Sequence, residues 1–247
     1  MWLSPDWPAP SNVLALSTGR FGGQSDGIYR GLNLGDHVGD NLANVAANRQ
    51  RLLQRLPAGA QMQWLEQVHG TQVVTLPCQS LRPQADASIT AQANQFCTVM
   101  TADCLPLLIC DAAGSQVAAV HAGWRGLLDG VIEQTLQQFS ATAESLLVWL
   151  GPAIGPSCFE VGSEVQQAFV SRDPNAAHAF TPHRDRYFAD LYQLARLRLR
   201  HQGVTAIYGG QHCTYSDPSR FYSYRRDGQT GRQASVIGLL PPERSHA

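Results

Sequence analysis

At 247 residues, 44% of them hydrophobic, the chain can bury a full core and fits one large domain over residues 1–247. A net charge of −1 with no run of Lys or Arg argues against nucleic acid and acidic membrane surfaces as partners and leaves small-molecule chemistry. Six cysteines without paired spacing read as reduced thiols of a cytoplasmic protein, and neither a signal-peptide pattern nor an apolar stretch near the ~20 residues of a membrane span is found.

In chain order, NVLALS (Asn12 to Ser17) predicts a first strand, and the glycine-rich stretch to Asp40 a long loop suited to covering a ligand, with Arg20 and His37 as its polar contributors. Residues 41–53 predict a helix with an apolar stripe at Val45, Leu52 and Leu53. MQWLEQV and TQVVTL read as β-rich runs with His69 in or beside the turn between them, and ADASIT as a short strand carrying Asp86. FCTVMTA feeds Asp103 and Cys104. LPLLICD and QVAAVHA, separated by a turn cluster, predict a hairpin that brings Cys104 and His121 to one sheet edge. HAGWRG turns into a helix with apolar residues at 127, 128, 131, 132, 136 and 139. LLVWLG reads as a strand, Ser163 with Gln166 and Asp190 with Gln193 as capping boxes, and Gly203 as a helix stop. VTAIY and ASVIGL are the last strands; the loop between them, rich in aromatics and arginines around Tyr224, Arg225 and Arg226, suits a polar ligand. Strands and helices without regular alternation predict an α+β fold with mixed sheets.

His69, Cys104 and His121 all fall at predicted strand ends, and two imidazoles with one thiolate form a catalytic zinc set, with copper possible. Their spacings of 34 and 16 intervening residues are not those of a zinc finger, so the site is one assembled by the fold. A fourth protein ligand, with Cys158 as candidate, would instead make the metal structural. The competing reading makes Cys104 a nucleophile with His121 as base and Asp103 or Asp86 as third group. The absence of any His-x-His argues against a multicopper oxidase, and no zinc-deaminase signature is found. Arg125, at the start of the helix after HAGWRG, is the expected phosphate contact, unless it pairs with a carboxylate such as Asp103.

Together, WLEQVHGTQVV, ADASIT, TADCLPLLICD, VAAVHAGWRG, LGPAIGPSCFEVG, FYSYRRDGQTGR and NLGDHVGD resemble the YfiH family, variously labelled laccase-domain, polyphenol oxidase or purine nucleoside phosphorylase proteins. The resemblance implies a four-layer α/β/β/α fold and a zinc site at His69, Cys104 and His121. It implies phosphorolysis of adenosine, inosine, guanosine and methylthioadenosine, with deamination of adenosine. A peptidoglycan-editing or precursor-binding role also attaches to the family. Expected partners are purine nucleosides and phosphate, contacted by Arg20, His37, Arg125 and Arg225, in a monomer or weak homo-oligomer.

Overall fold

Alternation along the long strands sorts their side chains onto two faces, and this sorting builds the layers of the computed structural model, which describes residues 2–241. The first half of the chain gives β1 (Val13–Ser17), α1 (Leu42–Leu53), β2 (Gln61–Gln63), β3 (Val73–Leu76), β4 (Ala87–Thr90), β5 (Gln95–Thr101), β6 (Leu105–Asp111) and β7 (Val117–Ala122). The second half gives α2 (Trp124–Asp129), α3 (Val131–Leu136), β8 (Leu146–Leu150), β9 (Glu160–Val161), α4 (Ser163–Arg172), β10 (Phe180–His183) and β11 (Arg186–Ala189). It closes with α5 (Leu191–His201), β12 (Ala206–Gly209), α6 (Tyr224–Asp227) and β13 (Gln233–Leu239). A four-stranded sheet runs β1-β13-β5-β2 and a six-stranded sheet β12-β8-β6-β7-β4-β3, both mixed in direction.

Phe96 and Met100 of β5, with Ala234 and Val236 of β13, meet Leu52 of α1 on the outer face of the four-stranded sheet. The alternate residues Cys97, Val99, Ile237 and Leu239 turn inward. They meet Leu108, Cys110, Val117, Ala119 and Trp149 of the six-stranded sheet. Leu107, Ile109, Val120 and Val148 then face outward against α2 to α5. Helix, sheet, sheet, helices is the four-layer order, and the fold is α+β with mixed sheets.

The hairpin of β6 and β7 forms as its sequence dictates, with Pro106 opposite His121. Asp190 caps α5 by accepting from the Gln193 amide, and Gly203 ends that helix region at φ 91°. Other local expectations need correction. The single helix expected after HAGWRG is two, because Gly130 at φ 103° ends α2 and starts α3, a conformation that glycine adopts without a Cβ clash. No Ser163 cap forms; Gly162 takes the N-cap position of α4 and Ser163 is already helical. A small sheet, β10-β11-β9, has no local sequence signal, because FTPH and RYFA lack an apolar run and turn at Arg184 (φ 55°) without glycine. MQWLEQV is mostly loop: only β2 forms, in the four-stranded sheet, so the chain crosses to β3 in the other sheet and His69 lies on that crossing.

Phe96 is fully buried and its ring covers Gly238, its cross-strand partner; a Cβ at Gly238 would lie 2.4 Å from that ring. Replacing Phe96 by Ala removes this packing and leaves a cavity under α1, so denaturant unfolding is expected to show a loss of about 3–5 kcal/mol. Leu81, 94% exposed, serves as the control; Leu81→Ala should stay within about 0.5 kcal/mol of the parent.

Candidate metal centre

His121 ends β7 on the face that looks between the two sheets, the face it shares with Val117 and Ala119. Cys104 precedes β6 at the same end of the hairpin, and the crossing loop lowers His69 onto the pair. The ligand atoms of His69, Cys104 and His121 lie within 4.8 Å of one another. Cys104 Sγ is 3.7 Å from His69 Nε2, and the two imidazoles meet edge-on with centroids 4.8 Å apart. His121 is buried, Cys104 half-buried and His69 exposed.

One carboxylate holds both histidines. Asp86, just before β4 and fully buried, accepts the backbone N–H groups of Val68, His69 and Gly70 at 3.2, 2.9 and 2.7 Å. It also bonds His121 Nδ1 at 2.7 Å, and its own carbonyl takes the His121 amide at 2.7 Å. His69 sits at φ 61°, a left-handed conformation costly for a non-glycine residue and held here by those loop bonds. Gln67 pins the same loop to β5, exchanging two 2.8 Å bonds with the Met100 backbone.

Cys104 has an anchor of its own in Asp103, at φ 92°. The Asp103 carboxylate accepts from Thr214 Oγ1 (2.6 Å), Ser223 Oγ (3.0 Å) and the Arg225 amide (2.7 Å), while its carbonyl takes the Ile154 amide at 3.0 Å. Its carboxylate is thus spent on the loop before β13 and does not brace Arg125. Gly123, the N-cap of α2, completes the floor: a Cβ there would lie 2.6 Å from His69 Cδ2 and 3.1 Å from Cys104 Sγ.

The electrostatics follow from this packing. Burial opposes a Cys104 thiolate, but His121 and His69 beside it outweigh burial and lower the thiol to about 6. Burial likewise opposes charge on His121, yet Cys104 and Asp86 raise it to about 9. Burial disfavours the Asp86 carboxylate too, and His121 with the loop amides holds its pKa below the ordinary value. With Nδ1 of His121 committed to Asp86, Nε2 is the nitrogen left for a ligand, the arrangement that orients imidazoles toward metals. Two imidazoles and a thiolate therefore fit a metal ion such as zinc or copper. Cys158 does not join them; its Sγ lies 3.3 Å from Ser216 Oγ, and among the described residues the donor group is the three named side chains.

A cavity of about 330 Å³ opens above the three donors. His37 from the glycine-rich loop, Tyr224 of α6 and Arg232 line it together with Met100, Thr101 and Ala102. Of the four expected substrate contacts the structure brings only His37 into this lining. Arg20 lies over the Tyr222 ring and donates to the Pro218 carbonyl. Arg125 is exposed and stacks on Trp124, and Arg225 donates to the Glu160 carbonyl beside Phe159. Arg232 and Thr101 were not singled out from the sequence. Arg232 closes the FYSYRRDGQTGR motif, and its one outward sign is a charged residue at the mouth of the wholly buried β13.

Residues 14–240 match the family described as multi-copper polyphenol oxidoreductase laccase. The chain is 53% identical over 241 residues to a Pseudomonas aeruginosa protein named purine nucleoside phosphorylase, covering 96% of this chain and 98% of that one. It is 52% identical over 239 residues to purine nucleoside phosphorylase YfiH of Escherichia coli, with the same coverage. Among crystal structures, a Neisseria meningitidis protein superimposes with a TM-score of 0.93 at 48% identity, covering 97% of this chain and 99% of that one. YfiH of Bacillus licheniformis gives 0.86 at 29% identity and 92% coverage of both chains.

The site separates a metal ligand from a free nucleophile by reactivity. In metal-free protein, Cys104 alkylation by iodoacetamide should rise through an apparent pKa near 6 and fall below it, since the thiolate is the reactive form. Cys97 and Cys110, each pushed up to about 12 with burial as the largest cause, should stay unlabelled. Saturating zinc should abolish Cys104 labelling, which mass-spectrometric site mapping reads directly.

Proposed function

This chain belongs to the YfiH family, described as multi-copper polyphenol oxidoreductase laccase, and we propose that it is a zinc-containing purine nucleoside phosphorylase. The observation that carries this reading is the small cavity whose floor is His69, Cys104 and His121, in a chain about half identical to proteins bearing that name. Its substrates are adenosine, inosine, guanosine and methylthioadenosine with inorganic phosphate. Adenosine deamination accompanies phosphorolysis, and the site of action is the cytoplasm.

In phosphorolysis a phosphate oxygen forms a bond to C1′ of the ribose. The C1′–N9 bond breaks with its electron pair leaving on the purine, which takes up a proton. A zinc ion held by His69, Cys104 and His121 would supply Lewis-acid charge at the cavity floor. Asp86 fixes the His121 ring so that the donor constellation needs no rearrangement as charge develops. Met100 and Ala102 give the wall an apolar side suited to a purine face, and Tyr224, 60% exposed at the mouth, offers a ring for stacking. His37 of the glycine-rich loop and Tyr224 of α6 both line the cavity, so a nucleoside bound there exchanges bulk water for these side chains.

The label of the family points toward copper oxidation, but the described residues assemble one group of three metal donors, without the several copper sites that such chemistry uses. A second reading has a specific observation behind it. Cys104, His121 and Asp86 also satisfy the logic of a nucleophile, its base and the group orienting the base, as in cysteine hydrolases.

Purified zinc-loaded protein given inosine should release hypoxanthine only when phosphate is present and yield ribose 1-phosphate, with His121→Ala losing activity by roughly 100-fold or more. Equal base release with and without phosphate, with free ribose as product, contradicts the phosphorylase reading.

A further inference from the structure

Arg232 stands apart from the other arginines at this end of the molecule. Its aliphatic stem packs on Gly35, where a Cβ would come within 2.8 Å of Arg232 Cγ. Nη1 donates to the Thr230 and Gly231 carbonyls, both at 3.0 Å. Among the described residues no carboxylate lies within 4.0 Å of its guanidinium, and Asp36 on the glycine-rich loop pairs with Arg49 at 3.2 Å and Arg82 at 3.3 Å. A half-buried guanidinium held by two neutral carbonyls keeps donors and charge available for an anion.

A second, independent observation lies beside it. The cavity above the metal centre and an adjoining cavity of about 280 Å³ share His37, Tyr224 and Arg232 as common wall. The adjoining cavity is also lined by Thr230, whose side chain is 1% exposed and whose hydroxyl has no hydrogen-bond partner among the described residues. Thr101, on the first cavity's lining, is 2% exposed and has an equally unpartnered hydroxyl. Buried hydroxyls are rarely left without partners, and one on each of two cavities that share a guanidinium without a close ion-pair partner suits an oxygen-rich ligand. Arg125, the arginine expected from the sequence, meets none of these conditions: it is exposed, stacked on Trp124 and outside both cavities.

We propose that Arg232, with the Thr230 hydroxyl, forms the oxyanion subsite that seats inorganic phosphate beside the His69, Cys104 and His121 centre. The ligand class is a tetrahedral oxyanion. That it is the phosphate of nucleoside cleavage rests on the phosphorylase reading above. Arg232 lines the same cavity as His69, Cys104 and His121, so an anion held by Arg232 on the shared wall lies beside the donors on the cavity floor.

The test measures inosine cleavage at saturating inosine with phosphate varied, and separately the melting temperature of the zinc-loaded protein as inorganic phosphate is added. Arg232→Gln should raise the phosphate KM by at least about tenfold, the loss typical of one charge-assisted hydrogen bond, while the inosine KM stays within about threefold. Arg232→Lys should recover part of the loss. Thr230→Val removes a hydroxyl that supports nothing in the fold, so it should fold normally and still raise the phosphate KM. Wild type should be stabilised by added phosphate and Arg232→Gln much less so. Phosphate-dependent cleavage with an unchanged phosphate KM in Arg232→Gln and Thr230→Val overturns the subsite and leaves the phosphorylase standing. A loss confined to Arg125→Gln overturns it as well. Base release that ignores phosphate overturns the phosphorylase, and the subsite is then judged on phosphate stabilisation alone; a wild type that phosphate does not stabilise overturns it.

Discussion

A buried carboxylate must be matched by donors or it destabilises the fold, and Asp86 meets that demand entirely with groups that build the site. Three of its four donors are consecutive backbone amides of the loop carrying His69, and the fourth is the ring of His121. The same charge therefore sets the position of one histidine through its main chain and the orientation of the other through its side chain. Asp103 repeats the device for Cys104, with hydroxyls and an amide from the loop before β13 as its donors. Each of the two carboxylates stabilises a left-handed residue, His69 in one case and Asp103 itself in the other.

These anchors explain how chain segments far apart in sequence meet at one end of the layered fold. The two sheets part where β5 gives way to β6, and the first residues past the strand supply Ala102, Asp103 and Cys104. The glycine-rich loop and the loop before β13 then lie over the gap, with Tyr222 donating to the Tyr29 carbonyl at 2.9 Å and Gln229 to the Val38 carbonyl at 3.0 Å. Gly123 supplies the missing volume below. The site is thus a consequence of tertiary closure, with polar groups spent on geometry before any is spent on ligand.

How much of this was legible in the sequence depended on whether the signal was local. The β6–β7 hairpin was legible because two apolar runs flank a turn cluster, and its register alone brings Cys104 and His121 together. α1 was legible from its apolar stripe, although Asn41, read as helical, is its N-cap, and α5 was legible from the Asp190 cap. His69 could be recognised by chemistry but not placed, since nothing local tells that β2 and β3 belong to different sheets. Asp86 was visible as a candidate third group, but its hold on the His69 loop depends on a contact 16 to 18 residues away. The arginines divided for the same reason. Arg125 drew attention through a local motif and lies outside the cavity, whereas Arg232 gains its meaning from a missing carboxylate that only the folded chain reveals.

The central claim is that Asp86 shapes the donor group of His69, Cys104 and His121, and zinc titration into metal-free protein tests it most directly. Wild type, Asp86→Asn and Asp86→Ala would be compared, with circular dichroism confirming that each retains its fold. Removing such a partner of a ligating histidine typically costs roughly 10–100-fold in metal affinity, so both variants should bind zinc more weakly by at least that lower figure. Folded variants that bind zinc as tightly as wild type would contradict the account.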